Sequence, residues 1–314
     1  MHCSGSSLTK IIGCAILKLN SLTKTILAIL ITLLIFYFIF QQVSIQDLVL
    51  TLKNANPFYL GISLFPLAFS LYFITRRWQM FLSAMGFVVP PWKCFNILMA
   101  TFPLTAVTPS KAGDFVRAYY LKDEIPMTRT VGSVLTEKVF DVVVLITFSL
   151  LGMIYCQCYE FIWLFFISLA LVSLFVLVLR RGLNLPIGSS WNDRIDNIAL
   201  SMRSLLDNRA LFVKTTLYSI IIWILATLQI LMFFYALDID VDLLYLFANM
   251  PIAIFIGMLP VSIGGMGTRD AAIIFLFSDY GTVSELLAVG ILFSLFRYWL
   301  LSIIGLPFMR KMSQ

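Results

Sequence analysis

Six apolar runs of about 20 residues each are the feature of this sequence that most limits its fold. At a rise of about 1.5 Å per residue, a helix of that length crosses the hydrocarbon core of a bilayer. We therefore predict an all-α, polytopic helical membrane protein. The runs are 25–43, 56–75, 161–179 and 215–237, which carry no charge, and 131–156 and 286–308, which contain charged residues.

The composition agrees with lipid as the main solvent of the chain. Apolar residues make up 61% of the sequence and charged residues only 12%, whereas about a quarter of the residues of a soluble domain are charged. The charges cluster between the apolar runs, so the net charge of +6 belongs to loops and does not predict nucleic-acid binding. Because no polar stretch is longer than 180–214, we expect no attached catalytic domain.

Metal and cofactor chemistry has few candidate ligands in this sequence. His2 is the single histidine, and the five cysteines are scattered along the chain. Cys156 and Cys158 are too close in sequence to form an unstrained disulfide. We expect no metal site, no cofactor and no disulfide framework.

Two further apolar segments are interrupted by helix-breaking residues. The segment 94–120 is broken at Pro109, and the segment 243–277 is broken at Pro260 within a cluster of glycines. Irregular backbone at membrane depth is stable only where it is buried in protein or lines a wet cavity. Because the two segments occupy corresponding places in two halves, we predict two re-entrant broken helices, six to eight transmembrane helices in total, and an inverted repeat around a central site.

Basic residues predict the orientation, since they favour the cytoplasmic side of a membrane. They are concentrated at Arg76 and Arg77 after the second run, in 180–214 and at the C-terminal end, whereas 238–242 is acidic. We expect a multi-pass protein of the inner or plasma membrane with cytoplasmic N- and C-termini. The predicted segments are 1–24, a cytoplasmic N-terminal segment; 25–179, the first membrane half; 180–214, a basic cytoplasmic linker that can form an interfacial helix; and 215–314, the second membrane half.

The first break brings charged residues to the start of a helix. Lys111, Gly113, Asp114 and Arg117 follow Pro109. The free N–H groups at a helix N-terminus and two basic side chains can bind an anion, and a phosphate headgroup fits this pattern. A cytoplasmic turn with ordinary basic residues explains the same motif equally well.

The second break combines glycines with a pair of charges. Gly264, Gly265 and Gly267 precede Arg269 and Asp270. The spacing fits neither a Walker loop nor a dinucleotide-binding loop, and the glycines could serve close helix packing instead. A charge between apolar runs costs about 3 kcal/mol unless it is paired or solvated. That cost favours a functional cavity.

Three more charged residues lie inside predicted spans. Glu137 and Asp141 are four residues apart on one helical face, and Arg297 lies near the middle of the last run. They either form a structural ion pair between Arg297 and a carboxylate, or serve as a charge relay and a headgroup contact. The two roles are compatible with each other.

These motifs resemble the membrane region of the lysylphosphatidylglycerol synthase/flippase family. The resemblance covers about 25–308 and rests on 109–117, 137–141 and 260–272, followed by Arg297. It implies a two-half, inverted-repeat helical domain with re-entrant helices around a lipid cavity. The soluble aminoacyl-transfer domain of the bifunctional members is missing from this sequence, and Asp114 stands where the family more often carries Glu. The matched positions are Gly113, Asp114, Arg117, Glu137, Asp141, Pro260, Gly264, Gly265, Gly267, Arg269 and Asp270.

The motifs and the resemblance together predict a lipid translocase, either a flippase or a scramblase, for a phosphate-bearing lipid. That lipid is a phospholipid or a polyprenyl-phosphate-linked glycan, and we expect neither enzymatic activity nor a nucleic-acid partner. A separate lipid-modifying enzyme could supply the lipid, and a homo-oligomer is compatible with the sequence. Two alternatives stay open: an integral-membrane lipid glycosyltransferase or accessory enzyme that uses Glu137 and Asp141, and an ion-coupled small-solute transporter.

Overall fold

A computed structural model describes residues 44–108, 112–157, 189–259, 262 and 264–312, together with scattered positions within 30–37 and 162–177. In this part of the chain all regular secondary structure is helical and there is no strand. The predicted all-α, polytopic class is therefore confirmed. The predicted spans 25–43 and 161–179 lie outside the described residues, apart from the scattered positions.

The described helices are labelled in chain order. Four of them, α2, α5, α7 and α10, are long and apolar enough to cross a membrane. The helices are α1 (Ile45–Asn54), α2 (Pro57–Ala84), α3 (Pro91–Val107), α4 (Arg117–Tyr120), α5 (Met127–Cys156), α6 (Ser189–Asp207), α7 (Arg209–Ala236), α8 (Leu243–Met258), α9 (Thr268–Leu276) and α10 (Val283–Met312).

Three of the four membrane-spanning helices, α2, α7 and α10, begin at a residue whose side chain accepts a hydrogen bond from a free N–H group. The Asn56 side chain accepts a hydrogen bond from the Phe58 N–H at the start of α2, where Pro57 occupies the first turn. Thr282 and Glu285 form a reciprocal capping box at the start of α10. Such caps supply acceptors for amides that have no partner within the helix, so the local sequence favours the start of these three spans.

Helices α2 and α7 run antiparallel along each other. The Asn56 N–H at the start of α2 donates to the carbonyl of Ala236 at the end of α7, at 2.7 Å. Further along, the Phe73 and Tyr218 rings meet edge to face with centroids 5.1 Å apart. Both helices are 28 residues long, and each is the first described span of its half. Their antiparallel pairing supports the predicted inverted repeat.

The two halves exchange their broken helices. Helix α3 of the first half packs against the C-terminal part of α10, and α8 of the second half packs against α5. A glycine allows the close approach in each case: a Cβ on Gly305 would lie 2.4 Å from the Met99 carbonyl oxygen, and one on Gly152 would lie 1.9 Å from the Ala248 carbonyl oxygen. Small residues at helix contacts are typical of membrane proteins. Each half is thus interlocked with the other.

On either side of both predicted breaks, the described residues show the helix ending and the chain returning close to it. After α3 the backbone of Thr108 is extended, and a 3₁₀ turn over Ala112–Val116 leads into α4. After α8 the backbone of Leu259 is extended in the same way before α9 begins at Thr268. Thr108 and Leu259 each precede a proline in the sequence, and proline disfavours the helical conformation of the residue before it.

Helix α6 packs against the ends of two membrane-spanning helices. Ala199, Met202 and Leu205 are buried in a cluster with Trp78 and Phe81 of α2. The helix also approaches α5 closely, where a Cβ on Gly132 would lie 2.3 Å from the Ile198 carbonyl oxygen. The apolar face predicted for an interfacial helix therefore packs on the ends of α2 and α5.

We predict that Gly152→Ala destabilises the protein. The added Cβ would collide with backbone, which cannot move without separating α5 from α8, and overpacking of this kind costs about 1–3 kcal/mol. Thermal unfolding of the purified protein in detergent measures the effect. Gly61→Ala is the matched control, because a Cβ at Gly61 meets nothing within 4 Å. Equal melting temperatures for the two variants would contradict the close packing of α5 and α8.

Candidate functional site

A partly open cavity lies between the two halves, with an empty volume of about 860 Å³ including its mouth. Its walls come from α2, α3, α5, α7, α8 and α10 and from the two breaks, and much of the lining is apolar. Eight charged side chains also line it: Arg77, Asp114, Arg117, Glu137, Lys138, Asp141, Arg269 and Arg297. Charged groups at membrane depth usually face such a cavity and mark a functional pathway.

The centre of the first half is held by a buried ion pair. Arg77 on α2 contacts Asp141 on α5 with a distance of 2.7 Å between Nη1 and Oδ1. The same nitrogen donates to the Ser219 hydroxyl of α7 at 2.8 Å, and the Trp223 indole N–H donates to Asp141 at 3.2 Å. Arg77 is 1% exposed and Asp141 6%. This pair joins three membrane-spanning helices at one point.

A second arginine extends the network to the first break. Arg117 on α4 contacts Glu137 on α5 at 2.8 Å and Asp114 at 3.5 Å, and its guanidinium lies 5.1 Å from the centre of the Trp78 ring. Glu137 also lies 3.5 Å from Arg77. The carboxylate of Glu137 therefore bridges two arginines from different helices.

Asp114 ties the break itself to the flanking helices. Its carboxylate forms a salt bridge with Lys138 on α5 and accepts a hydrogen bond from the Thr105 hydroxyl on α3 at 3.0 Å. Gly113 permits this fold of the chain, since a Cβ there would lie 2.3 Å from the backbone nitrogen of Thr105. The six charged groups of this first-half network comprise three cations and three anions, so the network is neutral.

The second break is closed by a pair of neighbouring charges. Arg269 contacts Asp270 at 2.7 Å, and its Nη2 atom also donates to Ser294 at 2.6 Å and to the carbonyl of Gly290 at 3.2 Å. The guanidinium lies 4.6 Å from the centre of the Phe293 ring. Arg269 and Asp270 are 2% and 1% exposed. The pair fixes the start of α9 against α10.

Glycines make this arrangement possible. Gly264, Gly265 and Gly267 all have positive φ angles, between 59° and 87°, a region that other residues rarely adopt. The N–H of Gly267 donates to the Asp270 carboxylate at 2.9 Å. A Cβ on Gly265 would lie 2.4 Å from the carbonyl oxygen of Gly257 on α8. The glycine cluster thus serves a tight turn and a close backbone approach at the same place.

Arg297 has a different environment from the other arginines of the cavity. It lies in a π-helical turn of α10, over Leu295–Leu300, and its Nη1 atom donates to the Gln229 side-chain oxygen on α7 at 3.1 Å. Its guanidinium is 5.7 Å from the Phe293 ring centre. Among the ion pairs of the described residues, none includes Arg297. The cavity therefore holds one cation that is matched by a neutral amide.

Comparison with known proteins identifies the family of this chain. The sequence profile described as the lysylphosphatidylglycerol synthase TM region matches residues 25–305. The chain belongs to this family. It is a multi-pass membrane protein, as the spanning helices indicate.

Two archaeal relatives of this family member match it along most of their length. A UPF0104 membrane protein, MJ1595, of Methanocaldococcus jannaschii is 24% identical over 315 residues, which cover 90% of this chain and 94% of the relative. A UPF0104 membrane protein of Methanothermobacter thermautotrophicus is 23% identical over 288 residues, covering 81% and 85%. Their names describe membrane proteins and no activity.

The structure brings most of the predicted site residues of this family member to one cavity. Asp114, Arg117, Glu137, Asp141, Gly264, Arg269 and Arg297 line it, while Gly113, Gly265, Gly267 and Asp270 support the two breaks. Lys111 and the predicted helix breaks Pro109 and Pro260 lie outside the described residues.

Two sequence-based interpretations are corrected by the structure. Arg77 was expected in a cytoplasmic loop after a span that ends at residue 75, but α2 continues to Ala84 and buries Arg77. The proposed ion pair between Arg297 and Glu137 or Asp141 is wrong, because Arg77 and Arg117 occupy both carboxylates. The continuing apolar pattern through Phe81 and Leu82 is the sequence signal that could have extended α2.

We predict that Asp141→Asn strongly destabilises the protein and that Arg77→Gln in the same chain restores part of the loss. Removing one partner of a buried ion pair leaves an uncompensated charge and costs about 3–5 kcal/mol, whereas removing both charges does not. Thermal unfolding in detergent measures all three proteins. Glu124→Gln, which breaks an exposed pair with Lys93, is the control and should change stability by less than about 1 kcal/mol. A double variant less stable than Asp141→Asn would contradict the pairing.

Proposed function

We propose that this protein is a lipid translocase, a flippase or scramblase that moves a phosphate-bearing lipid between the leaflets of a membrane. The observation that carries the proposal is the charged cavity between two interlocked halves of a membrane domain. The substrate would be a phospholipid or a polyprenyl-phosphate-linked glycan.

The depth of the cavity supports movement across the bilayer. Asp141 and Arg297 each lie 14 residues after the first residue of a spanning helix of about 30 residues, which is about 21 Å along the helix axis. Both positions are therefore close to the middle of their spans. A polar lining at that depth would shield a headgroup from the hydrocarbon core while it crosses.

The chemistry of the lining supports an anionic headgroup. Arg297 faces the cavity without an ion pair among the described residues, and Arg117 and Arg269 face it while paired with carboxylates. Arginine binds phosphate oxygens through a planar fork of N–H donors. Leu67, Leu98 and other apolar residues line the rest of it, where an acyl or polyprenyl chain can pack.

The ion pairs made by the three cavity carboxylates favour transport over catalysis. Asp141 is bound by Arg77, Glu137 by Arg77 and Arg117, and Asp114 by Lys138. A carboxylate that neutralises a buried arginine is poorly placed to act as a general base or nucleophile. We therefore propose a structural role for the three carboxylates, in holding the cavity walls together.

The exchange of broken helices supports a rocking movement. Helix α3 packs on α10 and α8 packs on α5, so each pair can move as a unit. Movement of α5 and α8 against α2 and α7 would have to break the contact between Arg77 and Asp141. Alternating access in inverted-repeat transporters arises from movements of this kind. The cavity would then open to the two leaflets in turn.

We predict that the purified protein moves a headgroup-labelled fluorescent phospholipid across vesicle membranes. Arg297→Gln should slow this movement at least about tenfold, equivalent to 1.4 kcal/mol in the barrier, because Arg297 is the cavity cation without an ion pair among the described residues. Quenching of the outer leaflet by a membrane-impermeant reductant measures the movement. Arg310→Gln, at an exposed position of the same helix α10, is the control. Equal folding of the variants is checked by size-exclusion chromatography and thermal unfolding.

The outcomes separate the possible functions. Lipid movement no faster than in protein-free vesicles would contradict the proposed function, and uptake of a soluble solute by the same vesicles would then favour a small-solute transporter. Normal movement in Arg297→Gln would leave the translocase in place and remove Arg297 from the headgroup contacts.

A further inference from the structure

We propose that Arg297 and Gln229 form a subsite for a single negative charge, and that the lipid accepted by the cavity carries one phosphodiester and no other net charge. This inference rests on the proposed function and narrows its substrate class. It excludes phosphomonoester and diphosphate-linked lipids, which carry more negative charge, and zwitterionic lipids, whose net charge is zero.

The repeat places the Gln229 and Arg297 pair opposite the Arg77 and Asp141 pair. Arg77 lies 20 residues after the start of α2 and Gln229 lies 20 residues after the start of α7; Asp141 and Arg297 each lie 14 residues after the start of α5 and α10. In both halves the side chains at these positions touch, with 2.7 Å between Arg77 and Asp141 and 3.1 Å between Gln229 and Arg297. The two contacts are counterparts.

The chemistry of the two counterparts differs by one negative charge. In the first half the span α5 supplies a carboxylate that neutralises an arginine. In the second half the arginine is on α10 itself, and the facing residue is an amide. One turn earlier, charged residues of α5 again correspond to uncharged residues of α10. Glu137 and Lys138 correspond to Phe293 and Ser294, at 10 and 11 residues after the helix starts. Helix α10 therefore offers no carboxylate to the cavity at any of these positions.

Among the charged side chains that line or support the described cavity, the cations outnumber the anions by one. The first-half network contains three cations and three anions, and Arg269 is neutralised by Asp270. Arg297 is the remaining cation, close to the middle of its span. An unpaired charge at that depth costs about 3 kcal/mol, and a bound monoanion would remove this cost. A dianion would bring one charge too many, and a zwitterion would add a second cation.

Local geometry adds a second donor beside Arg297. The Gln229 side chain is fully buried, and its Nε2 atom has no hydrogen-bond partner among the described residues. Leaving a buried donor unsatisfied costs about 1–3 kcal/mol. Because Nε2 and the oxygen that Arg297 contacts belong to one planar amide, the donor lies next to the guanidinium. The π-helical turn at Leu295–Leu300 is also an irregularity that often marks functional sites.

The test is competition among three lipids with identical acyl chains, measured by native mass spectrometry of the full-length protein. The probes are phosphatidylglycerol, with one phosphodiester and a net charge of −1; phosphatidylcholine, a zwitterion; and phosphatidic acid, a phosphomonoester. The proteins are the wild type, Arg297→Gln, Arg297→Lys and the exposed control Arg310→Gln. Glycerophosphoglycerol, the same headgroup without tails, tests whether a soluble phosphodiester is the true ligand.

We expect the wild type and Arg310→Gln to retain phosphatidylglycerol over phosphatidylcholine by about tenfold, and Arg297→Gln to lose this preference to within about threefold. Arg297→Lys should keep most of it, because the charge is retained. Glycerophosphoglycerol should not displace the lipid at equal concentration, since it lacks the chains that pack on the apolar lining.

Three results would overturn the subsite. They are an unchanged preference in Arg297→Gln, a wild type that prefers phosphatidic acid, and equal displacement by glycerophosphoglycerol, which would make the ligand a soluble anion. In the first two cases a phosphate-bearing lipid is still bound and the proposed function stands. If the wild type retains none of the three lipids, both the subsite and the proposed function fail.

Discussion

The contact between Arg77 and Asp141 is the interaction on which the rest of the membrane domain depends. It joins α2 and α5, and through Ser219 and Trp223 it also holds α7. Apolar helices gain little from associating in lipid, because the acyl chains are as apolar as their side chains. Buried charges and close backbone contacts therefore supply much of the specificity. The first half becomes a rigid wall of the cavity, and the second half, which lacks the matching carboxylate, becomes the wall that can receive an anion.

Glycine determines how closely the two halves approach each other. The contacts of Gly152 with α8 and of Gly305 with α3 bring backbone against backbone, and the positive φ angles of Gly264, Gly265 and Gly267 allow the chain to turn at membrane depth. In lipid, such a turn must be covered by protein. The turn and the cavity thus depend on each other, because the helices that enclose the cavity also cover the irregular backbone.

The sequence was sufficient for the class of fold and for the two breaks, because apolar length and the positions of Pro109 and Pro260 have direct physical consequences. It also indicated that Arg269 and Asp270 must be paired or solvated, since charges in an apolar segment are costly, but not that they pair with each other. The partners of Glu137 and Asp141 could not be predicted. Arg77 looks like an ordinary basic residue after a span, and only the packing of α2 against α5 brings it to Asp141. No feature of the sequence indicated a role for Gln229, because an amide inside a span is not unusual.

The central claim is that a phosphate-bearing anionic lipid occupies the cavity, and site-specific photo-crosslinking in native membranes tests it most directly. A benzophenone side chain placed at Phe102, which lines the cavity, should yield adducts enriched in one anionic, phosphate-bearing lipid relative to the bulk membrane. The same group at Phe65, which is 65% exposed on the outer surface of α2, should yield adducts with the bulk composition. Identical adducts at the two positions, or no lipid adduct at Phe102, would contradict the account.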